Sequence, residues 1–150
     1  MSVGNICNRR IPIAQRGTSV RAAAKCMMAH DVPIVVVVDE RDGKRMAVGI
    51  VTEHEFVRYV VACRADASRL CVEDVMRADP VFVNEGDGVY ETACWMHRHH
   101  LREAIVHDEA GSLVGLVTID QLIDSLAGEI AGDAKLPAAE EGPRARVPLH

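Results

Sequence analysis

Two short stretches gather the residue types that can hold a ligand. Residues 49–56 read Gly-Ile-Val-Thr-Glu-His-Glu-Phe, and residues 115–122 read Gly-Leu-Val-Thr-Ile-Asp-Gln-Leu. In each, a threonine follows aliphatic residues and precedes a polar cluster. The candidates for polar contact are therefore Thr52 and Glu55 in the first stretch, and Thr118, Asp120 and Gln121 in the second. A threonine hydroxyl ahead of a helix stands beside the free backbone N–H groups of its first turn, where an anion is favoured. Ile50, Val51, Leu116 and Val117 flank the threonines and are the apolar candidates for enclosing a ring. The same residues have a purely structural use, because Thr52 and Glu55 spell the T-x-x-E capping box.

Other polar clusters carry less chemistry. His97 and His100 share a helical face, and with Cys94 they form the candidate set for a metal- or redox-responsive site. No cysteine lies at metal-site spacing from them, so no metal is expected. Arg98 and Arg102 nearby are candidates for meeting a phosphate at the mouth of a cleft. His-Asp-Glu at 107–109 closes a strand, as Val-Asp-Glu does at 38–40, and reads as structural. The chain contains no zincin motif, nucleophile elbow, phosphate loop or dinucleotide fingerprint, and an enzyme is not expected.

The elements that must position these residues occur twice. Residues 18–31 align with 87–100 at an offset of 69, which puts Val20, Ala24 and Met27 over Val89, Ala93 and Met96. A longer first hairpin reduces the offset to 66 by Thr52 and Thr118. Each copy reads strand, helix, strand, turn, strand, helix. The first strands lie near 11–14 and 80–83, and the first helices over about 19–30 and 88–98. The hairpin strands are 34–38 with 47–51, and 103–107 with 113–117, turning at Asp42-Gly43 and Ala110-Gly111. The closing helices start after the threonines, with Phe56, Val57, Val60 and Val61 as the apolar face of one and Leu122, Ile123 and Leu126 as that of the other.

A three-stranded sheet with helices on one side leaves its other face bare, and about 60 residues bury too little surface alone. Two copies packed sheet to sheet solve this. The expected fold is α/β (α+β) with two pseudo-symmetric repeats, 3–66 and 67–130, and a flexible C-terminal tail, 131–150. The stretch 64–76 is the crossing linker and carries a short helical turn.

Composition narrows the class of function. Hydrophobic residues make up 49% of the chain and aromatic residues 3%, so valine, alanine, isoleucine and leucine must fill the core. A net charge of -5 argues against a general nucleic-acid coat. Five cysteines without a CxxC pair suit reduced thiols. The longest aliphatic run, 32–38, is strand-length rather than membrane-spanning, and the first residues lack a secretory core, so a cytoplasmic location is expected.

The paired stretches Thr18–Met27 with Gly49–Phe56, and Val72–Val83 with Gly115–Leu122, resemble a tandem pair of cystathionine-beta-synthase (CBS) domains, the Bateman module. The resemblance covers about residues 3–130. It implies a regulatory module that binds an adenosine-containing ligand, such as AMP, ADP, ATP or S-adenosylmethionine, in clefts between the repeats, and that forms a homodimer. In the family pattern the Ser/Thr contacts phosphate or ribose, and an aspartate three residues on takes the ribose hydroxyls. Here those places are held by Thr52 with Glu55 and Thr118 with Gln121, while Asp120 lies one residue early. The proline that the family carries in strand two is replaced by Val36 and Ile105. No effector domain is seen, so the regulated partner is expected on another chain. The alternative is a dimerisation or protein-binding scaffold whose nucleotide site has decayed.

Overall fold

Five consecutive aliphatic residues, Ile34–Val38, form a strand buried on both faces, and this strand centres the first sheet. The computed structural model describes residues 1–134. In it, β1 (Ile13–Gln15) pairs parallel with β2 (Ile34–Arg41), which pairs antiparallel with β3 (Lys44–Thr52). The second sheet repeats the pattern with β4 (Phe82–Asn84), β5 (Glu103–His107) and β6 (Leu113–Thr118). The register slips at the same place in both hairpins, between Val37 and Val38 and between Val106 and His107. Helices α2 (Val20–His30) and α5 (Val89–Arg98) supply the parallel crossovers. Ser19 caps α2 by accepting from the Ala22 N–H at 3.1 Å. Both crossover helices stop at a left-handed residue, Asp31 after α2 and His100 after α5.

Strand alternation sorts the core into layers. Val35, Val37 and Val51 face α2, with Val20, Ala23 and Met27. Ala104, Val106 and Val117 face α5, with Val89, Ala93 and Met96. The residues between them point the other way: Ile34, Val36, Val38, Ile50, Ile105 and Leu116 form a third cluster where the two sheets meet. The two repeats are thus packed sheet to sheet around a shared apolar layer.

The lead-in segments change sides. Helix α1 (Val3–Ile6) precedes the first sheet, yet Val3 lies wholly buried in the core of the second. Helix α4 (Val72–Val75) precedes the second sheet and buries Val72 and Val75 in the core of the first. Each then crosses the last strand of the opposite hairpin. Asn8 exchanges backbone hydrogen bonds with Leu116 at 2.8 and 3.0 Å, and Arg77 does so with Ile50 at 2.9 and 3.2 Å.

The closing helices differ. Helix α6 (Ile119–Ala134) is regular and runs beyond residue 130. In the first repeat, α3 (Glu53–Phe56) passes into a π-helical turn, Val57–Val61, closed by the Ala62 N–H on the Val57 carbonyl at 2.9 Å. That wider turn corrects the expected apolar face: Phe56 and Val60 pack on the core, whereas Val57 and Val61 are exposed. Ile123 in α6 is likewise exposed, while Leu122 is buried and Leu126 packs on the core. Among the described residues no helix is long and apolar enough to cross a membrane. The expectation of a flexible tail falls mainly on residues 135–150, outside the described residues.

Candidate functional site

A cleft of about 1130 Å³ runs between the repeats. Its apolar wall includes Ile34, Ile50, Pro80, Val81, Leu101 and Ile119. Thr52 and Thr118 both line it, so the starts of α3 and α6 open into one space. Glu55 and Asp120 also reach this wall. Of the remaining candidates, Leu116 lies in the layer between the sheets, and Gln121 is not part of the wall. Val51 and Val117 are fully buried on the far faces of their strands, against each repeat's own helices, and do not reach the cleft. Period-two alternation is the reason: Ile50 and Thr52 share one face, which leaves Val51 on the other.

Both threonines act as helix caps. The Thr52 hydroxyl accepts from the His54 N–H at 3.2 Å and donates to Glu55. Glu55 Oε2 also accepts from the Thr52 backbone N–H at 2.7 Å. In the second repeat the Gln121 N–H donates to the Thr118 hydroxyl at 3.2 Å, and Gln121 Oε1 accepts from the Thr118 N–H at 2.9 Å. Asp74, at the same place in α4, closes the same ring on the Cys71 N–H at 2.9 Å.

The Glu55 side chain is only 3% exposed, and a buried carboxylate needs a partner. Arg77 supplies it, with Nε 3.1 Å from Glu55 Oε1, and its other arm donates to Glu103 at the start of β5. Further cations line the cleft: Arg58 from the π turn, Arg102 ahead of β5, and the histidines His54 and His100. Among the described residues Arg58 and Arg102 hold no ion pair with a carboxylate. Glu53, Asp79 and Asp120 stand among them, so the wall carries charge of both signs. Tyr59 also lines the cleft, with the Arg58 guanidinium 5.4 Å from its ring centre.

Of the two arginines considered for a phosphate, Arg102 lines the cleft, whereas Arg98 is not part of its wall. Cys94, His97 and His100 are each exposed, and among the described residues no three His, Cys, Asp or Glu side chains gather to hold a metal ion. Sequence reasoning missed Arg77, Arg58, Tyr59 and Glu103. Arg77 lies within the Val72–Val83 stretch, but nothing in that stretch ties it to Glu55, and the β-bridge to Ile50 is what brings the two together.

The CBS-domain family model matches residues 3–62 and 72–128, so the chain belongs to the CBS-domain family and carries the domain twice. Paired CBS domains are regulatory, non-catalytic modules. An uncharacterized protein of Methanocaldococcus jannaschii is 29% identical over 125 residues, which is 83% of this chain and 66% of that protein. The chain spans under two thirds of the length of the first curated relatives it matches, 61% and 66%. A solved Burkholderia ambifaria protein with CBS domains is 27% identical, with a TM-score of 0.74, covering 86% of this chain and 96% of that one. A CBS domain protein of Pyrobaculum aerophilum complexed with AMP shares the fold at 23% identity and a TM-score of 0.72, covering 85% of this chain and 99% of that one.

Proposed function

We propose that this chain is a ligand sensor that binds an adenosine-containing molecule (AMP, ADP, ATP or S-adenosylmethionine) in the cleft between its repeats and signals to a separate protein. The observation that carries this reading is the single cleft into which two helix starts, Thr52 and Thr118, and two arginines without a carboxylate partner among the described residues, Arg58 and Arg102, all open. The apolar wall between them suits a flat ring, and the helix starts with the arginines suit an anionic group. The Pyrobaculum aerophilum protein of the same fold was solved with AMP, and other CBS-pair structures of this fold were solved with ATP or with S-adenosyl-L-methionine. Ligand held between the repeats stabilises one relative orientation of the two sheets, and a partner reads the changed surface. A homodimer acting in the cytoplasm belongs to the same reading.

A second reading has its own support. Glu55 and Gln121 spend their side chains on capping boxes, so neither is offered to a ribose. On that reading the pair is a dimerisation or protein-binding scaffold. Calorimetric titration with AMP, ADP, ATP and S-adenosylmethionine separates the two. Saturable binding that weakens about tenfold in Thr118→Ala or Thr52→Ala and returns in the Thr→Ser variant supports the sensor. Absence of heat, with a melting temperature unmoved by all of these ligands, rejects it in favour of the scaffold.

A further inference from the structure

We infer that Arg77 is a built-in latch between the repeats, which occupies Glu55 and must be displaced by any ligand that uses that carboxylate. The second clause rests on the proposed sensor reading; the first does not. Arg77 is held at three points. Its backbone is bridged to Ile50, its Nε pairs with the buried Glu55, and its other arm pairs with Glu103. Glu55 belongs to the helix that closes the first repeat, and Glu103 to the central strand of the second. One guanidinium therefore spans the cleft and does from within what a bridging ligand does from outside. Its side chain is 49% exposed, against 3% for Glu55 and 13% for Glu103, so the latch is the solvent-facing member of the triad.

The residues around Arg77 are arranged for it. Gly49 lacks a Cβ where one would lie 2.9 Å from the Arg77 carbonyl oxygen. Thr52 orients Glu55 through the capping box, leaving Oε1 free to face the guanidinium. The other half of the molecule has the same frame without the charges. Asn8 bridges to Leu116 as Arg77 does to Ile50, and Gly115 makes the same room. Yet the positions matching Arg77, Glu55 and Glu103 hold Asn8, Gln121 and Ile34. The latch is confined to one half, so it is not a requirement of the fold.

A double-substitution cycle with an AMP titration tests this. Glu103→Gln breaks the span but leaves Glu55 paired, and so remains folded. Arg77→Gln breaks both pairs, and Arg77→Gln/Glu55→Gln relieves the buried charge should the single variant unfold. Glu103→Gln is expected to lower Tm by a few degrees, and Arg77→Gln/Glu103→Gln to lose no more than Arg77→Gln alone. AMP is expected to bind Arg77→Gln about threefold tighter or more, since a competing internal partner has gone. Additive Tm losses overturn the latch. Non-additive losses with weaker AMP binding in Arg77→Gln overturn the competition and make Arg77 a ligand contact. Non-additive losses with no AMP binding in any variant uphold the latch, reject the displacement step and reject the sensor reading.

Discussion

Gly49 and Gly115 open the two near-identical motifs because something crosses directly above each of them. A Cβ on Gly115 would lie 2.5 Å from the Asn8 carbonyl oxygen, a backbone atom that cannot swing aside. On Gly49 the nearest obstacle, at 2.5 Å, is Met76 Sδ, part of a flexible side chain, with the Arg77 carbonyl at 2.9 Å behind it. Both alanine variants are overpacked and destabilised by about 1–3 kcal/mol, with Gly115→Ala towards the upper end and Gly49→Ala towards the lower. Chemical denaturation of the two side by side checks the order. Equal losses would mean that the methionine side chain gives no relief. At this scale the Thr52 cap is legible from its T-x-x-E spacing, and the alternation of strand faces is available to place Ile50 and not Val51 on the cleft. What the chain does not spell out is the strap above the glycine, because its contact with Gly49 is made across 28 positions of sequence.

Among the elements, the exchange of α1 and α4 is the feature that periodicity conceals. The offset of 69 runs from Val3 and Val72 onward, so each lead-in reads as the start of its own copy. Packing assigns it to the other copy. An ion-pair network holds one of these crossings. Arg16, just after β1, grips Asp39 of β2 through Nε at 2.9 Å and through its second arm at 3.1 Å, and reaches Glu73 of α4 at 3.2 Å. The hydrogen-bonded Arg16 guanidinium holds the Asp39 carboxyl below its ordinary range, and it does so against a smaller opposing effect of desolvation. A lowered folded-state pKa contributes stability that is present above the ordinary carboxylate range and is lost as pH falls through the lowered value. Asp39→Asn should therefore melt below the unsubstituted protein at neutral pH, and the gap should close on acidification. A gap that persists in strong acid would show that shape rather than charge makes the contact. The π turn at Val57–Val61 was equally hidden, since its sequence keeps apolar residues at helical spacing and only tertiary packing exposes Val57 and Val61.

The molecule as a whole is joined in three ways: by the apolar layer between the sheets, by the exchanged lead-ins, and by Arg77 across the cleft. Two repeats linked in sequence alone could unfold one after the other. Two repeats that complete each other's cores cannot, because loss of the first removes the surface on which α4 rests and strips the cover from Ile105 and Leu116 in the second. Trp95, the only tryptophan, reports on the second repeat from α5. Met27 is buried in the core of the first, 4% exposed, and Met27→Ala leaves a cavity there costing about 2–5 kcal/mol. The denaturation midpoint followed by Trp95 emission should fall by the same amount as the midpoint followed by far-ultraviolet circular dichroism, even though the substitution lies in the other repeat. An unmoved Trp95 transition beside a shifted dichroism transition would mean that the halves are thermodynamically separate. That result would also remove the basis for the proposed signalling, because a ligand held between the repeats could reorient them only through the contacts that make them one cooperative unit.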